Sequence, residues 1–563
     1  MKRTTALGSF AAIVIATAIA VTVALTAAGP RFYDDDPIAR EPESRSAAGA
    51  KPLDIGLFFE YSYNLFVTAT RRPSGTRAGN INTIDEVPDS SWFTNRIGVD
   101  TMTPERLTRG PNSDITPAPE KWVLLREKSA GTNPGFTARD AQGRTWFLQF
   151  DNAARPEGGT GAVEISTKVF WALGYNQVET FITTFDPAHA EIDPAATIKR
   201  PSGARTRFTR DDMNRVLERA ARRPDGTYRV SAGALIAGAV LGPFRYSGTR
   251  SDDPNDLVPH EHRRELRALR VFGAWANLVD WKAGNTLDTL VEKDGEKGRA
   301  TIRHYLQDVG STLGMANNPH EWDMGSEYFY QPDASRRRLY SFGFALSPWQ
   351  TTPYEEYPSI GLFEGDRFDP QTWRPQTPVE AFIEMRADDA FWAARRVMAF
   401  SDELIRTAVR TGQYSDADAE RHLADVLIKR RDKIGRVYLT AVNPIVNPRL
   451  DDRGTLTFEN AAVAAGFADP PESYQVVWSR YDNATGAATR VDESRSQAGA
   501  FSVTAAFPAP AGLPTAAGSF IEIDISADAA EHPAWQQPVH VFFRRQPTGW
   551  KLVGLERLPG NEK

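Results

Sequence analysis

Cysteine is absent from all 563 residues. That excludes disulfides, thiolate metal sites and a cysteine nucleophile. Charge of one sign is scarce as well. Lys and Arg number 66 against 72 Asp and Glu, a net charge of −6, which offers no basic field for nucleic acid. No internal repeat or low-complexity tract occurs, so the chain is not a repeat array. Only Ala6–Ala28 is long and apolar enough to span a bilayer, and no second run of that kind follows.

What remains is ordinary globular material, 41% hydrophobic and 25% charged, with thirteen Trp and thirty Phe to supply core volume. The length implies two or three domains. Lys2 and Arg3 precede the apolar run, and Thr26-Ala27-Ala28 offers the small residues of a signal-peptidase site. Residues 1–29 therefore read as a signal peptide or an N-terminal membrane anchor. Either reading places the bulk of the protein outside the cytoplasm, in the periplasm or cell envelope, released or held at the inner membrane through residues 6–28. Residues 30–52 mix acids, arginines and alanines without period and read as a flexible tether. Residues 53–118 carry Phe58-Phe59-Glu60-Tyr61 and Asp89-Ser90-Ser91-Trp92-Phe93; they read as an extension packed on the next domain.

The most informative stretch runs from Val279 to Gly314. Thr286–Glu292 and Arg299–Gln307 are rich in Thr, Val, Ile, Leu and Tyr, and the segment between them is polar with two glycines. That pattern predicts a hairpin. Paired strands lie about 5 Å apart, so folding about the turn brings Asn285 beside Asp308, with Asp280 one short loop away. Oxygen ligands this few, with room left for phosphate and water, suit Mg²⁺.

These residues carry a resemblance. Asp280-Trp281-Lys282-Ala283-Gly284-Asn285 is similar to the kinase catalytic loop D-x-K-x-x-N, and Asp308-Val309-Gly310 to D-F-G with Val for Phe. The chain resembles the protein-kinase-like superfamily, closest to its atypical bacterial branches: spore-coat, secretory-pathway and toxin-type kinases. The resemblance implies an α+β, two-lobed fold over Lys121–Tyr438. It also implies Mg²⁺ and ATP as cofactors, Asp280 orienting or deprotonating an acceptor hydroxyl with Lys282 beside it, and Asn285 and Asp308 holding the metal.

Residues 119–250 are then the small lobe, with an Arg-rich insertion. Lys121–Phe150 reads as a three-strand meander. Its first loop, with Gly131 and Gly135, matches the glycine-bearing loop that covers phosphates. Kinases place a phosphate-gripping lysine on the third strand, paired with a glutamate on the next helix. Here that position is Gln149. Gly161–Leu173 reads as the helix, with Glu164 as the candidate glutamate and Lys168 four residues on as its possible partner. Lys128, at the lip of the loop, is the other candidate cation.

Residues 251–442 read as the large lobe, entered through a turn-rich hinge at Asp252–Pro259. Leu266, Leu269, Phe272, Trp275 and Val279 share one helical stripe leading to Asp280. Met315–Thr377 has no regular pattern; helices follow to Tyr438. Residues 446–563 carry short strand-like runs separated by turns, an all-β, sandwich-like domain. Three functions stay open at this stage. The first is an exported kinase-like enzyme transferring phosphate, or another nucleotide-derived group, to a hydroxyl on a protein or small molecule. The second is an inactive kinase-like scaffold of the cell envelope, favoured by Gln149 and by the scarcity of ATP outside the cytoplasm. The third is a metal-dependent hydrolase built on His260, His262, His304, Asp280 and Asp308.

Overall fold

In the computed structural model, residues 29–128, 133–200, 203–292, 296, 298–316, 325–496 and 503–559 are described. Residues 6–28 and Gly131 lie outside them. Two short helices open the chain, α1 (Leu57–Phe66) and α2 (Pro104–Arg109). The small lobe follows with β1 (Trp122–Glu127), β2 (Gly135–Arg139), β3 (Thr145–Phe150), α3 (Gly158–Leu173), β4 (Thr180–Phe185), β5 (Ala190–Ile192), β6 (Thr197–Lys199), β7 (Arg205–Arg207), α4 (Arg210–Leu217) and β8 (Tyr228–Ala234). Its sheet runs β4-β8-β3-β2-β1-β5, antiparallel except where β5 joins β1. The meander expected from Lys121–Phe150 is its centre. Trp122, Phe136, Phe150 and Phe185 alternate inward and close a separate small-lobe core.

Strand β9 (Ala239–Gly242) leads out of the small lobe. Helix α5 (Arg264–Ala276), β10 (Thr286–Glu292) and β11 (Ala300–Leu306) follow, and β11-β10-β9 form one sheet. Then come α6 (Pro332–Tyr340), α7 (Glu380–Ile383), α8 (Ala387–Met398), α9 (Asp402–Arg410) and α10 (Ala417–Tyr438). The predicted stripe of α5 is buried throughout. So are its polar residues Arg264, Glu265 and Arg267. Arg264 meets Asp85, Asp388 and Asp389 at 2.9, 3.1 and 3.0 Å, and Arg267 meets Asp389 at 3.0 Å. Charges survive at such depth only when paired.

The segment between the hairpin and α7 is an excursion that closes on itself. Gly314 adopts φ +71°, and a Cβ there would lie 2.6 Å from the Leu362 backbone; a Cβ on Gly361 would strike the Gly314 carbonyl. Two glycines are required because the backbones touch.

The C-terminal domain is all β. Strands β12 (Ile445–Leu450), β13 (Thr455–Asn460) and β16 (Thr504–Pro508) form one sheet. The other contains β14 (Ser473–Tyr481), β15 (Ala488–Arg495), β17 (Phe520–Asp528), β18 (Val539–Arg545) and β19 (Trp550–Arg557), in the order β15-β14-β17-β18-β19. The whole is α+β and two-lobed, with a β sandwich appended. The sandwich is not a loose appendage. Its core is continuous with that of the large lobe, and Arg557 reaches Asp85 at 3.2 Å.

Residues 30–52, expected to be a tether, are instead laid along the folded domains. Phe32 is buried among the rings of Tyr481, Phe520 and Phe542. Glu41 pairs with Arg263 at 3.0 Å, and the Ala47 N–H donates to the Ala300 carbonyl at 2.8 Å. Two or three anchoring side chains suffice to dock a segment whose composition has no period.

Candidate active site

The site is assembled from the hairpin upward. Thr286 pairs with Leu306 and the register holds without a slip to Glu292 opposite Ala300. Just beyond the paired ends, the Asn285 carbonyl accepts from the N–H groups of Gln307 and Asp308 at 2.9 and 3.1 Å. Asn285 and Asp308 are thus neighbours by backbone geometry. The Asn285 side-chain NH₂ donates to the Asp280 carbonyl at 2.7 Å. This bond draws in the third residue and turns the amide oxygen into the available metal ligand. Lys282 Nζ donates to Asp280 Oδ2 at 2.6 Å, and this pairing raises the lysine pKa against the cost of burial. Asp308 is exposed, with Oδ1 accepting from the Gly310 N–H at 3.0 Å.

The roof of the site comes from the small lobe. Lys128 follows β1, and its N–H donates to the Gly135 carbonyl at 2.9 Å. Gly135 in turn sits opposite Gln149. A Cβ on Gly135 would lie 3.1 Å from Lys128 Cδ and would strike the Leu148 carbonyl. Glycine here lets the lysine stem cross the sheet. Lys128 Nζ then donates to Gln149 Oε1 at 2.8 Å. Burial pulls the Lys128 ammonium below the ordinary lysine range, and the Asp308 carboxylate pushes it back up. A cation therefore reaches the expected place from another strand, on a path the sequence does not display.

Glu164 is placed elsewhere. Its carboxylate accepts from the Thr180 hydroxyl at 2.8 Å and pairs with Lys168 at 3.0 Å, both groups buried. The side of α3 that meets the hairpin end carries Val163, whose Cγ2 lies 3.0 Å from where a Gly310 Cβ would stand, and Ser166, whose hydroxyl meets that of Thr312 at 2.6 Å. Successive helix positions point about 100° apart. With Val163 on Gly310, Glu164 turns toward β4 and away from Gln149.

Two residues missed from the sequence belong to α1. Glu60 accepts from the Ala283 N–H, and Tyr61 lays its ring 5.9 Å from Lys282 Nζ. Burial raises the Glu60 pKa, and the Ala283 N–H counters it. The Asp280–Asn285 loop is thus braced by a helix from the N-terminal extension. Acid and aromatic residues of that helix, standing next to one another at 60 and 61, were the available signal.

The histidines do not assemble with Asp308. His304 bonds Asp288 at 2.7 Å and stacks on Trp92 at 3.5 Å, buried in the core. His260 spends both ring nitrogens, on the Arg245 carbonyl and on Asp256, and His262 meets Arg267 at 2.6 Å. Among the described residues, the three side chains close enough to share a metal ion are Glu522, Asp524 and His540, in the sandwich.

No protein-family model and no curated protein matches the chain. Solved structures do. The Golgi casein kinase with Mn/ADP bound is 9% identical, the match covering 59% of this chain and 76% of that one at a TM-score of 0.27. A second structure of the Golgi casein kinase is also 9% identical, over 59% and 74%, at 0.27. The Rio2 kinase–ADP/Mg²⁺–phosphoaspartate complex from Chaetomium thermophilum is 13% identical, over 52% and 73%, at 0.18. These likenesses, at such scores, add nothing to the fold already described.

Proposed function

We propose that the chain is an atypical kinase-like phosphotransferase that uses Mg-nucleotide to modify a hydroxyl. The observation that carries this reading is the convergence of Asp280, Asn285 and Asp308 beneath Lys128. The donor set fits the absent groups. An amide oxygen and an exposed carboxylate suit Mg²⁺, and the half-buried ammonium suits a phosphate. Bound there, Mg-nucleotide would supply the transferable phosphoryl group and the charge that neutralises it.

The chain's own residues do the rest by position. Asp280, held by Lys282 and by the Asn285 amide, presents a carboxylate to orient the acceptor O–H and accept its proton. Lys128 stands in for the lysine that Gln149 does not provide, and the Lys128–Gln149 bond holds it in place. Phosphoryl transfer asks little covalent chemistry of the protein, so positioning and charge are the contributions to look for. Export to the cell envelope, through residues 6–28, belongs to this reading.

Mg-ATP should raise the melting temperature of the wild-type chain, since a ligand that binds only the folded state stabilises it. Asp308→Asn should abolish the shift without lowering the melting temperature in buffer, because the Asp308 side chain is exposed. A wild-type chain insensitive to Mg-ATP overturns the reading in favour of a non-catalytic scaffold.

A further inference from the structure

The exposed hydrophobic side chains are not scattered. Of the 21 large ones among the described residues, 11 lie in just two segments, residues 58–67 and 329–346. Phe58, Phe342 and Phe344 are 86%, 91% and 88% exposed. The segments adjoin, since Tyr61 meets Phe329 at 6.2 Å and Phe66 meets Tyr330 at 5.8 Å between ring centroids. A contiguous apolar face of this kind marks a site of association.

Its exposed rings and charge select the occupant. Residues 339–346 read Leu-Tyr-Ser-Phe-Gly-Phe-Ala-Leu. Phe342 adopts φ +53° and Gly343 φ +84°. This left-handed pair closes the end of α6, the Gly343 N–H donating to the Arg338 carbonyl at 2.8 Å, and leaves the Phe342 ring in the open. Arg336 and Arg337 of α6 are exposed, as are Arg71 and Arg72 after α1. Of the acids in and beside these segments, Glu60 turns to the Ala283 N–H and Glu327 to Arg338 and Ser347, while Asp333 is exposed and pairs with Arg336. Arg71 is paired with Glu380 and Arg336 with Asp333, which leaves Arg72 and Arg337 as the outward charge beside the exposed rings; cations flanking aromatic side chains are the composition of segments that sit in a lipid interface.

We infer that this face, led by Phe342 and Phe344, seats on a bilayer containing anionic lipid. The inference stands on exposure, backbone geometry and charge, and does not depend on the proposed phosphotransfer. Its consequence for the site is direct, because Tyr61 and Glu60 of the same helix touch the Lys282–Ala283 loop. The loop would then work at the membrane surface.

The test uses the full chain, whose lack of cysteine permits single-site labelling. Phe342→Cys, Phe344→Cys and, as an exposed control in the β2–β3 turn, Gln142→Cys are each labelled with NBD. Each is mixed with phosphatidylglycerol-containing or pure phosphatidylcholine vesicles carrying doxyl lipid. Interfacial side chains enter about 5–10 Å, within reach of a doxyl group high on the acyl chain. Blue-shifted emission and doxyl quenching several-fold greater at 342 and 344 than at 142, reduced in pure phosphatidylcholine and by Arg336→Glu with Arg337→Glu, is the expected result. Quenching equal at all three sites, or unaffected by charge reversal, overturns the proposal. So does label 342 already shielded before vesicles are added, which would assign the face to a second copy or to the chain's own N-terminal segment.

Discussion

Replacing Lys128 by glutamine removes the ammonium that stands over Asp308 and leaves the fold nearly untouched. The side chain lies at the end of β1 and its stem crosses Gly135, so glutamine keeps most of the contact. Two unit charges about 4 Å apart at an effective dielectric of about 20 interact by about 4 kcal/mol. Desolvation and lost side-chain freedom cancel part of that, and a hydrogen bond to a charged group nets about 1.5–3 kcal/mol. The expected loss in Mg-nucleotide affinity is therefore roughly 10- to 100-fold. A thermal-shift titration reads this directly. At a ligand concentration that is about 100 times the wild-type Kd, the wild type gains about 2.7 kcal/mol, and a variant weakened about 100-fold keeps only about 0.4 kcal/mol. Lys128 Nζ and Gln149 Oε1 are 2.8 Å apart, which allows a sharper version. The exchange variant Lys128→Gln with Gln149→Lys returns the cation to the same spot from β3 and should recover most of the shift. Wild-type response in Lys128→Gln, or no recovery in the exchange variant, refutes the idea that one cation serves the site from either strand.

Arg264→Met removes the fully buried partner shared by Asp85, Asp388 and Asp389, leaving them to Arg557, Arg386 and Arg267. Removing one member of a buried charge network costs about 3–5 kcal/mol, so the urea midpoint should fall sharply; a fall comparable to a surface substitution would mean the network carries little. His540 lies between Asp524 and Glu522, whose hydrogen bonds lift its pKa from 6.5 to about 10. A raised folded pKa stabilises fully below the unfolded value and stops doing so as pH climbs through the folded one. The melting temperature of wild type should exceed that of His540→Gln at pH 6, and the gap should close as pH rises from about 6.5 toward 10; a constant gap contradicts the charge assignment. Gly361→Ala drives a methyl into the Gly314 carbonyl. Overpacking of this kind costs about 1–3 kcal/mol, and the cost should appear locally, as faster proteolysis within residues 315–360 while the hairpin and sandwich stay protected.

Some of this architecture was legible from pattern alone. Strand β10 begins and ends where the Thr286–Glu292 run does, because a half-buried strand has a period of two that the residues display. The stripe of α5 was likewise visible, and so was the change to strands after Asn443. The sandwich's first strands were not, since Ile445–Leu450 contains Asn447 and Pro448, which break the pattern and bulge the ladder between Val446 and Arg449 without ending it. Lys128 and Glu164 show the limit most plainly. Which way each side chain points depends on a glycine of the neighbouring strand in one case and on a single helical step in the other.

Local pattern therefore determined which residues form the hairpin, and with it the adjacency of Asn285 and Asp308, because strand register is a short-range property. The tertiary structure decided where the cation comes from, that Asp85 joins extension, lobe and sandwich through Arg264 and Arg557, and that α1 braces the Lys282 loop. Each of those contacts joins residues far apart in the chain. Their partners are chosen by packing and charge pairing in the folded interior, and no local period encodes that choice.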